Sequence, residues 1–192
     1  WWRRVAQMAY SNTFGIRLAV DMAVAGRPQS PPQSPPPSES RPPGTIADFE
    51  KGYAEWMLKG DCWEDAPATD ALYPGLVKGY AGRCFVNTLG KQGTDLMGIA
   101  LSPPFTIRRP YLHFLVGGCD QPNRCTFSLV VDGVTVRRAS GENTAELRPQ
   151  VWYVGDLIGK QARLEILDGG RGDTREYILV DDVLSSDTAE LP

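Results

Sequence analysis

Four carboxylates, Asp61, Glu64, Asp65 and Asp70, fall within ten residues of one another, bracketed by Trp56 and Tyr73 with Trp63 among them. Two carboxyl groups flanking a glycosidic bond can hydrolyse it, one protonating the leaving oxygen while the other acts as base or nucleophile. Aromatic faces beside such acids stack on sugar rings. Acidic loops are also ordinary solvated surface, so these residues fit a sugar-binding platform on Trp56, Trp63 and Tyr73 better than a hydrolytic pair. Trp56 equally suits core packing.

Other chemistries are excluded more directly. The one histidine, His113, rules out multi-histidine zinc sites, and no GxSxG elbow presents a serine for it to activate. His113 sits in Tyr111-Leu112-His113-Phe114-Leu115-Val116, where Leu112, Phe114 and Val116 share one strand face and Tyr111, His113 and Leu115 the other. That pattern is expected of a hydrogen-bonded strand histidine. No glycine-rich motif has the strand–helix context that nucleotide binding needs.

Four cysteines, Cys62, Cys84, Cys119 and Cys125, permit three complete pairings, and none forms a CxxC. Cys119 and Cys125 flank the turn-rich stretch Asp120-Gln121-Pro122-Asn123-Arg124, which suits a short loop-closing disulfide and leaves Cys62 and Cys84 as the second pair. At least one disulfide would imply an oxidising compartment, extracytoplasmic or periplasmic, the alternative being four buried free thiols in a cytosolic protein.

The elements that must position these groups belong to a β-rich chain. Its 192 residues are 42% apolar and 22% charged, enough for a core, and 20 glycines with 16 prolines favour short strands and turns over long helices. The formal charge of −3 gives no footing for nucleic acid. The charge is uneven: residues 1–45 carry five Arg against Asp21 and Glu39, while residues 46–192 hold 15 basic and 21 acidic side chains.

Residues 28–43 contain eight prolines, which remove amide donors and fix φ, so residues 28–44 read as an extended spacer. Before it, residues 1–27 form a basic, aromatic arm with a helix expected over Phe14–Ala25. Arg17 and Asp21 interrupt the apolar run, against a membrane span. Trp1, Trp2, Arg3 and Arg4, with Phe14 and Arg17, suit a membrane interface or a protein groove. The arm is therefore expected to anchor the body, through residues 1–44, to a larger extracytoplasmic assembly, peripheral to a membrane, such as a respiratory or photosynthetic complex.

From Thr45 onward the chain reads as short strands: Ile99–Leu101, Thr106–Val116, Thr126–Asp132, Val134–Ala139, Ala162–Leu167 and Glu176–Leu184. Asp132-Gly133 between two β-branched runs is a hairpin signal. Ile46–Leu58 alone has a helical period. The expectation is an all-β chain: an antiparallel, jelly-roll-like β-sandwich over residues 45–187, with a tail at 188–192.

The sequence of this body resembles the β-sandwich domain at the amino-terminal side of levanase-type (glycoside hydrolase family 32) proteins. The matching residues are Ile46-Ala47-Asp48-Phe49-Glu50 with Tyr53 and Trp56, then Ser102-Pro103-Pro104-Phe105-Thr106-Ile107, Tyr111 to Gly118, Leu129-Val130-Val131-Asp132-Gly133, Ala162-Arg163-Leu164-Glu165-Ile166 and Val180-Asp181-Asp182. The resemblance covers residues 46–187. It departs where Gly169-Gly170 is followed by Arg171-Gly172-Asp173 rather than an aromatic and a histidine, and in the four cysteines. It implies a non-catalytic module, because the glycosidase catalytic domain has no counterpart here.

A weaker similarity to galactose-binding-like jelly rolls, such as family 6 carbohydrate-binding modules, implies a structural calcium ion at Asp48, Glu50 and Asp182, with no other cofactor. Arg171-Gly172-Asp173 spells an adhesion tripeptide in a glycine-rich turn where such triplets arise by chance. Two readings follow. In the first, the chain is a non-catalytic docking subunit held by its arm to a larger complex. In the second, it is a carbohydrate-binding module related to levanase-associated domains, with a glycan as partner.

Overall fold

The computed structural model describes residues 44–53, 55–70, 75–90, 96–170 and 176–190. The chain divides into residues 1–40 and 41–192, and the description concerns the second unit. The arm residues Trp1, Trp2, Arg3, Arg4, Phe14 and Arg17, the spacer to residue 43, Tyr73 and the Arg171-Gly172-Asp173 triplet lie outside the described residues.

Among the described residues the body has twelve strands: β1 Thr45–Ala47, β2 Met57–Gly60, β3 Ala68–Thr69, β4 Cys84–Asn87, β5 Gly98–Leu101, β6 Phe105–Thr106, β7 Tyr111–Gly118, β8 Cys125–Val131, β9 Val134–Ala139, β10 Thr144–Tyr153, β11 Gln161–Asp168 and β12 Ile178–Ser186. They form two antiparallel sheets, so the expected sandwich is the observed one. One sheet runs β10-β7-β12-β4-β3 with β1 beside β12, and the other runs β2-β5-β11-β8-β9 with β6 beside β11. The one described helical turn is a 3₁₀ segment at Gly155–Leu157.

The sheets meet through side chains that the period-2 pattern turns inward. Leu112, Phe114 and Val116 of β7 enter the core as their alternation requires, facing Phe127, Leu129 and Val131 of β8. Phe114, Phe127 and Trp152 join the layers as an aromatic triad, with ring centroids 4.4 Å apart for Phe114–Trp152, 4.9 Å for Phe114–Phe127 and 5.3 Å for Phe127–Trp152. Burial of rings this large supplies the main driving force, each contributing roughly 1.5–3 kcal/mol. On the opposite face of the first sheet, Phe85 and Leu179 form a second cluster with Ala68, Val77 and Leu147.

The Asp132-Gly133 hairpin is observed, both residues at positive φ (52° and 77°) and Val131 paired with Val134. This is the two-residue turn whose twist matches that of its strands. Two local expectations change. The run Thr106–Val116 is two strands rather than one, because β6 pairs with β11 in one sheet and β7 lies in the other. Pro110 stands at the crossing. The helical period over Ile46–Leu58 is not a helix: Phe49 (φ 54°) and Gly52 (φ 90°) turn the chain between β1 and β2.

Candidate functional site

Antiparallel register brings the ends of seven strands to one end of the sandwich. Asp168 pairs with both Gly98 and Cys125, Gly60 with Gly98, Ile178 with Gly118, and Leu179 with Asn87. The connections after β2, β4, β7 and β11 therefore converge there, and they carry most of the chemistry-bearing side chains of the body.

Trp63 is held at this end from three sides. Its indole N–H donates to the Lys59 carbonyl at 2.9 Å, its ring meets Tyr53 edge-on at 5.9 Å and 79°, and Gly98 lies beneath it. A Cβ at Gly98 would come within 2.5 Å of both Trp63 Nε1 and Cys62 Sγ, so only glycine seats the indole and the thiol together. The ring stays partly exposed, as does the neighbouring Glu64. Asp61, exposed beside them, binds the next loop by accepting from the Met97 amide at 2.9 Å while its own amide donates to the Met97 carbonyl.

Behind this surface lies a buried polar layer. Glu176 is 2% exposed and receives Arg124 Nη1 at 2.5 Å, the guanidinium staying partly in solvent. Asp168 ends β11 at 1% exposure, its Oδ1 accepting from the Gly170 amide at 3.0 Å, and among the described residues its Oδ2 meets no hydrogen-bond donor. Burial, with Glu176 adding repulsion, pushes its carboxyl up to about 6. Cys62, Cys119 and Cys125 are buried around Asp168; burial, then the Asp168 charge, pushes the Cys62 thiol up to about 12.

The sequence-predicted residues fall unevenly on this arrangement. Trp63 is at the loop end. Trp56 packs inward, its ring 5.5 Å from that of Phe49, so it serves the core. Asp70 accepts from the Gly75 amide at 3.0 Å, so it and Asp61 each spend an oxygen on loop backbone. His113 is buried, its Nε2 2.8 Å from the Thr188 carbonyl.

Asp48, Glu50 and Asp182, expected to hold calcium, stand near the loop before β4, where burial and the neighbouring Asp48 raise the Asp182 carboxyl. The Arg83 and Cys84 amides donate to Glu50 Oε1 at 2.6 and 2.8 Å, and the Glu50 amide donates to Asp48 Oδ1 at 3.2 Å. Asp182 sits at φ 49° in a β-bulge of β12. Among the described residues no group of three or more His, Cys, Asp or Glu side chains is placed to hold a metal ion. The buried Asp181 beside them, unremarked as a site residue, accepts from the Ala81 and Asp182 amides at 2.8 Å each and anchors the loop before β4. Burial outweighs those bonds and pushes its carboxyl up to about 8.

All four cysteines carry free thiols in this structure, where the sequence suggests at least one disulfide or four buried thiols. Cys62 and Cys84 are kept apart by topology: Cys62 follows β2 at the loop end, while Cys84 opens β4 at its far end, beside Glu50 and Asp181.

Arg124, Asp168, Glu176, Tyr53 and Gly98 were not singled out as site residues. One signal was legible. Ala162, Leu164 and Ile166 are the inward phase of β11, and the same alternation puts Asp168 inward, a carboxylate where an apolar residue is due.

No family model matches the chain. Over 134 residues, 69% of this chain, it is 34% identical to ecdE of Aspergillus rugulosus, whose name assigns it provisionally to the glycosyl hydrolases. The chain spans 19% of that relative's length. Among solved structures, the K2 adhesin domain of Lys-gingipain, a Porphyromonas gingivalis protein, superposes with a TM-score of 0.50 at 12% identity, covering 74% of this chain and 98% of that domain. This is a likeness of fold. The module TmCBM61, solved with β-1,4-galactotriose, reaches a TM-score of 0.45 at 14% identity over 72% of this chain and 92% of that one.

Proposed function

We propose that the body is a non-catalytic carbohydrate-binding module whose recognition surface is the loop end of the sandwich, in the manner of the levanase-associated domains it resembles. The observation that carries the reading is the seating of Trp63. A partly exposed indole, fixed by Tyr53, Lys59 and Gly98 and neighboured in sequence by Asp61 and Glu64, offers a sugar both an apolar face and hydrogen-bonding groups. Similarity to one fifth of a longer protein named for glycoside hydrolysis supports an appended module and favours a glycan over a respiratory or photosynthetic assembly. Extracytoplasmic location belongs to the same proposal. Among the described residues no helix is long and apolar enough to cross a membrane.

Calorimetric titration of the full chain and its Trp63→Ala variant with levan oligosaccharides tests the proposal. Saturable binding that weakens about tenfold or more in the variant, the equivalent of roughly 1.4 kcal/mol, supports it. Equal affinity in the two would remove Trp63 and the loop end from the account.

A further inference from the structure

Cys119 and Cys125 occupy a position that the glycan reading does not use. Cys119 follows β7 and donates its amide to the Tyr177 carbonyl at 2.9 Å, while Cys125 opens β8 and donates its amide to the Gln121 carbonyl at 3.0 Å. The loop between them folds back on itself, with the Arg124 amide also reaching Gln121 at 2.9 Å. Both side chains are fully buried in the same core cluster. There the two side chains are in hydrogen-bonding contact, which lowers the Cys119 thiol from its ordinary range. Cys125 Sγ also lies 3.9 Å from Asp168 Oδ1.

We infer that Cys119 and Cys125 are a disulfide-forming pair, the structure showing its dithiol form, and that Cys62 and Cys84 remain thiols. The oxidant is a low-molecular-weight disulfide such as oxidised glutathione. The Cys119 thiolate attacks one sulfur of that disulfide and expels one thiolate. Cys125 then gives up its proton, attacks the Cys119 sulfur of the mixed disulfide and expels the second. Two protein thiols are oxidised and one external disulfide is reduced to two thiols. Because both sulfurs are closed to solvent, the exchange occurs while the loop end is open, during folding, and the finished bond is shielded from reductant. Asp168, against Cys125, is the acceptor on hand for the Cys125 proton. The bond would fix the 119–125 loop, and with it Arg124, against the buried Glu176.

The test does not depend on any glycan. Full-length protein folded in a glutathione redox buffer is blocked with an alkylating agent, digested with trypsin without reduction and analysed by mass spectrometry. Trypsin separates all four cysteines, cutting at Lys59 and Lys78 around Cys62, at Arg83 and Lys91 around Cys84, and at Arg124 between Cys119 and Cys125. The expected result is one cross-linked species joining the peptide that ends at Arg124 to the peptide that begins at Cys125. It is lighter than the sum of the two by two hydrogens, and Cys62 and Cys84 are both alkylated. A Cys62→Ser variant keeps the species and a Cys125→Ser variant loses it. Four alkylated cysteines, or a bond involving Cys62 or Cys84, would overturn the inference.

Discussion

Arg124 closes on the carboxylate of Glu176 at 2.5 Å across 52 positions of sequence, and the carboxylate it meets is 2% exposed. The pair ties the loop after β7 to the approach to β12, so it holds two of the connections that make up the loop end. Removing one partner of a buried pair costs more than the pair itself contributes, because the remaining charge stays in a poor solvent.

Arg124→Ala is therefore expected to lower stability by about 1–3 kcal/mol, the partly solvated guanidinium keeping the loss below that of a fully buried pair. Glu176→Gln should cost less, since it removes the charge that needs a partner. Urea denaturation of the three proteins checks the order. Equal loss in both variants would show that the pair acts through packing.

Gly98→Ala tests the seating of Trp63. Its new methyl would stand 2.5 Å from both Trp63 Nε1 and Cys62 Sγ and 2.9 Å from the Lys59 carbonyl. Overpacking of this kind costs typically about 1–3 kcal/mol, and here it must also displace the indole from its bond to Lys59. Stability and glycan affinity should fall together in this variant, read by thermal melting and by titration. A stable protein with unchanged Trp fluorescence would place the indole elsewhere.

Stability should fall as pH rises towards neutrality. Burial raises the Asp181 carboxyl to about 8 and the Asp168 carboxyl to about 6, both above the unfolded value near 3.8. Their contribution is whole below the unfolded value. It declines as the unfolded chain ionises first, and is lost once the folded carboxyls ionise at about 6 and about 8. Melting temperatures between pH 4.5 and 8.5 should slope downward, less steeply in Asp181→Asn. A melting temperature that rises across this window would contradict the burial-driven shifts.

Calcium should leave the body unmoved. Glu50 and Asp181 already accept backbone amides around the loop before β4, so a cation at Asp48, Glu50 and Asp182 would compete with bonds the fold uses. Melting curves in excess chelator and in millimolar calcium are expected to superimpose. A calcium-dependent rise of several degrees would restore the cation reading.

The fold was legible where one rule governed a whole strand. Leu112, Phe114 and Val116 alternate without interruption, and Asp132-Gly133 supplies the positive φ that its hairpin demands. It was illegible where local irregularity broke the rule. The ten-residue β10 is not legible because Pro149 and charged Glu146 and Arg148 dilute its apolar signal, and a register shift between Thr144 and Arg148 spoils the alternation that Leu147 and Trp152 would show. Over Ile46–Leu58, Ile46, Phe49, Tyr53 and Trp56 mimic helical spacing, yet the chain reaches that packing through turns, with Phe49 at positive φ and 3% exposed. The site divided in the same way. Trp63 could be chosen for its chemistry. Arg124, Asp168 and Glu176 become one site through strand pairing between segments far apart in sequence, which no local window contains.

The most direct test of the central claim is a glycan array probed with the full-length chain, wild type beside Trp63→Ala, both verified as folded by near-ultraviolet circular dichroism. Selective binding of the wild-type protein to one glycan class, fructans foremost, with the signal lost in the variant, is the predicted result. A folded wild-type protein that binds no glycan on the array, or a variant that binds as well as the wild type, would contradict recognition at the loop end.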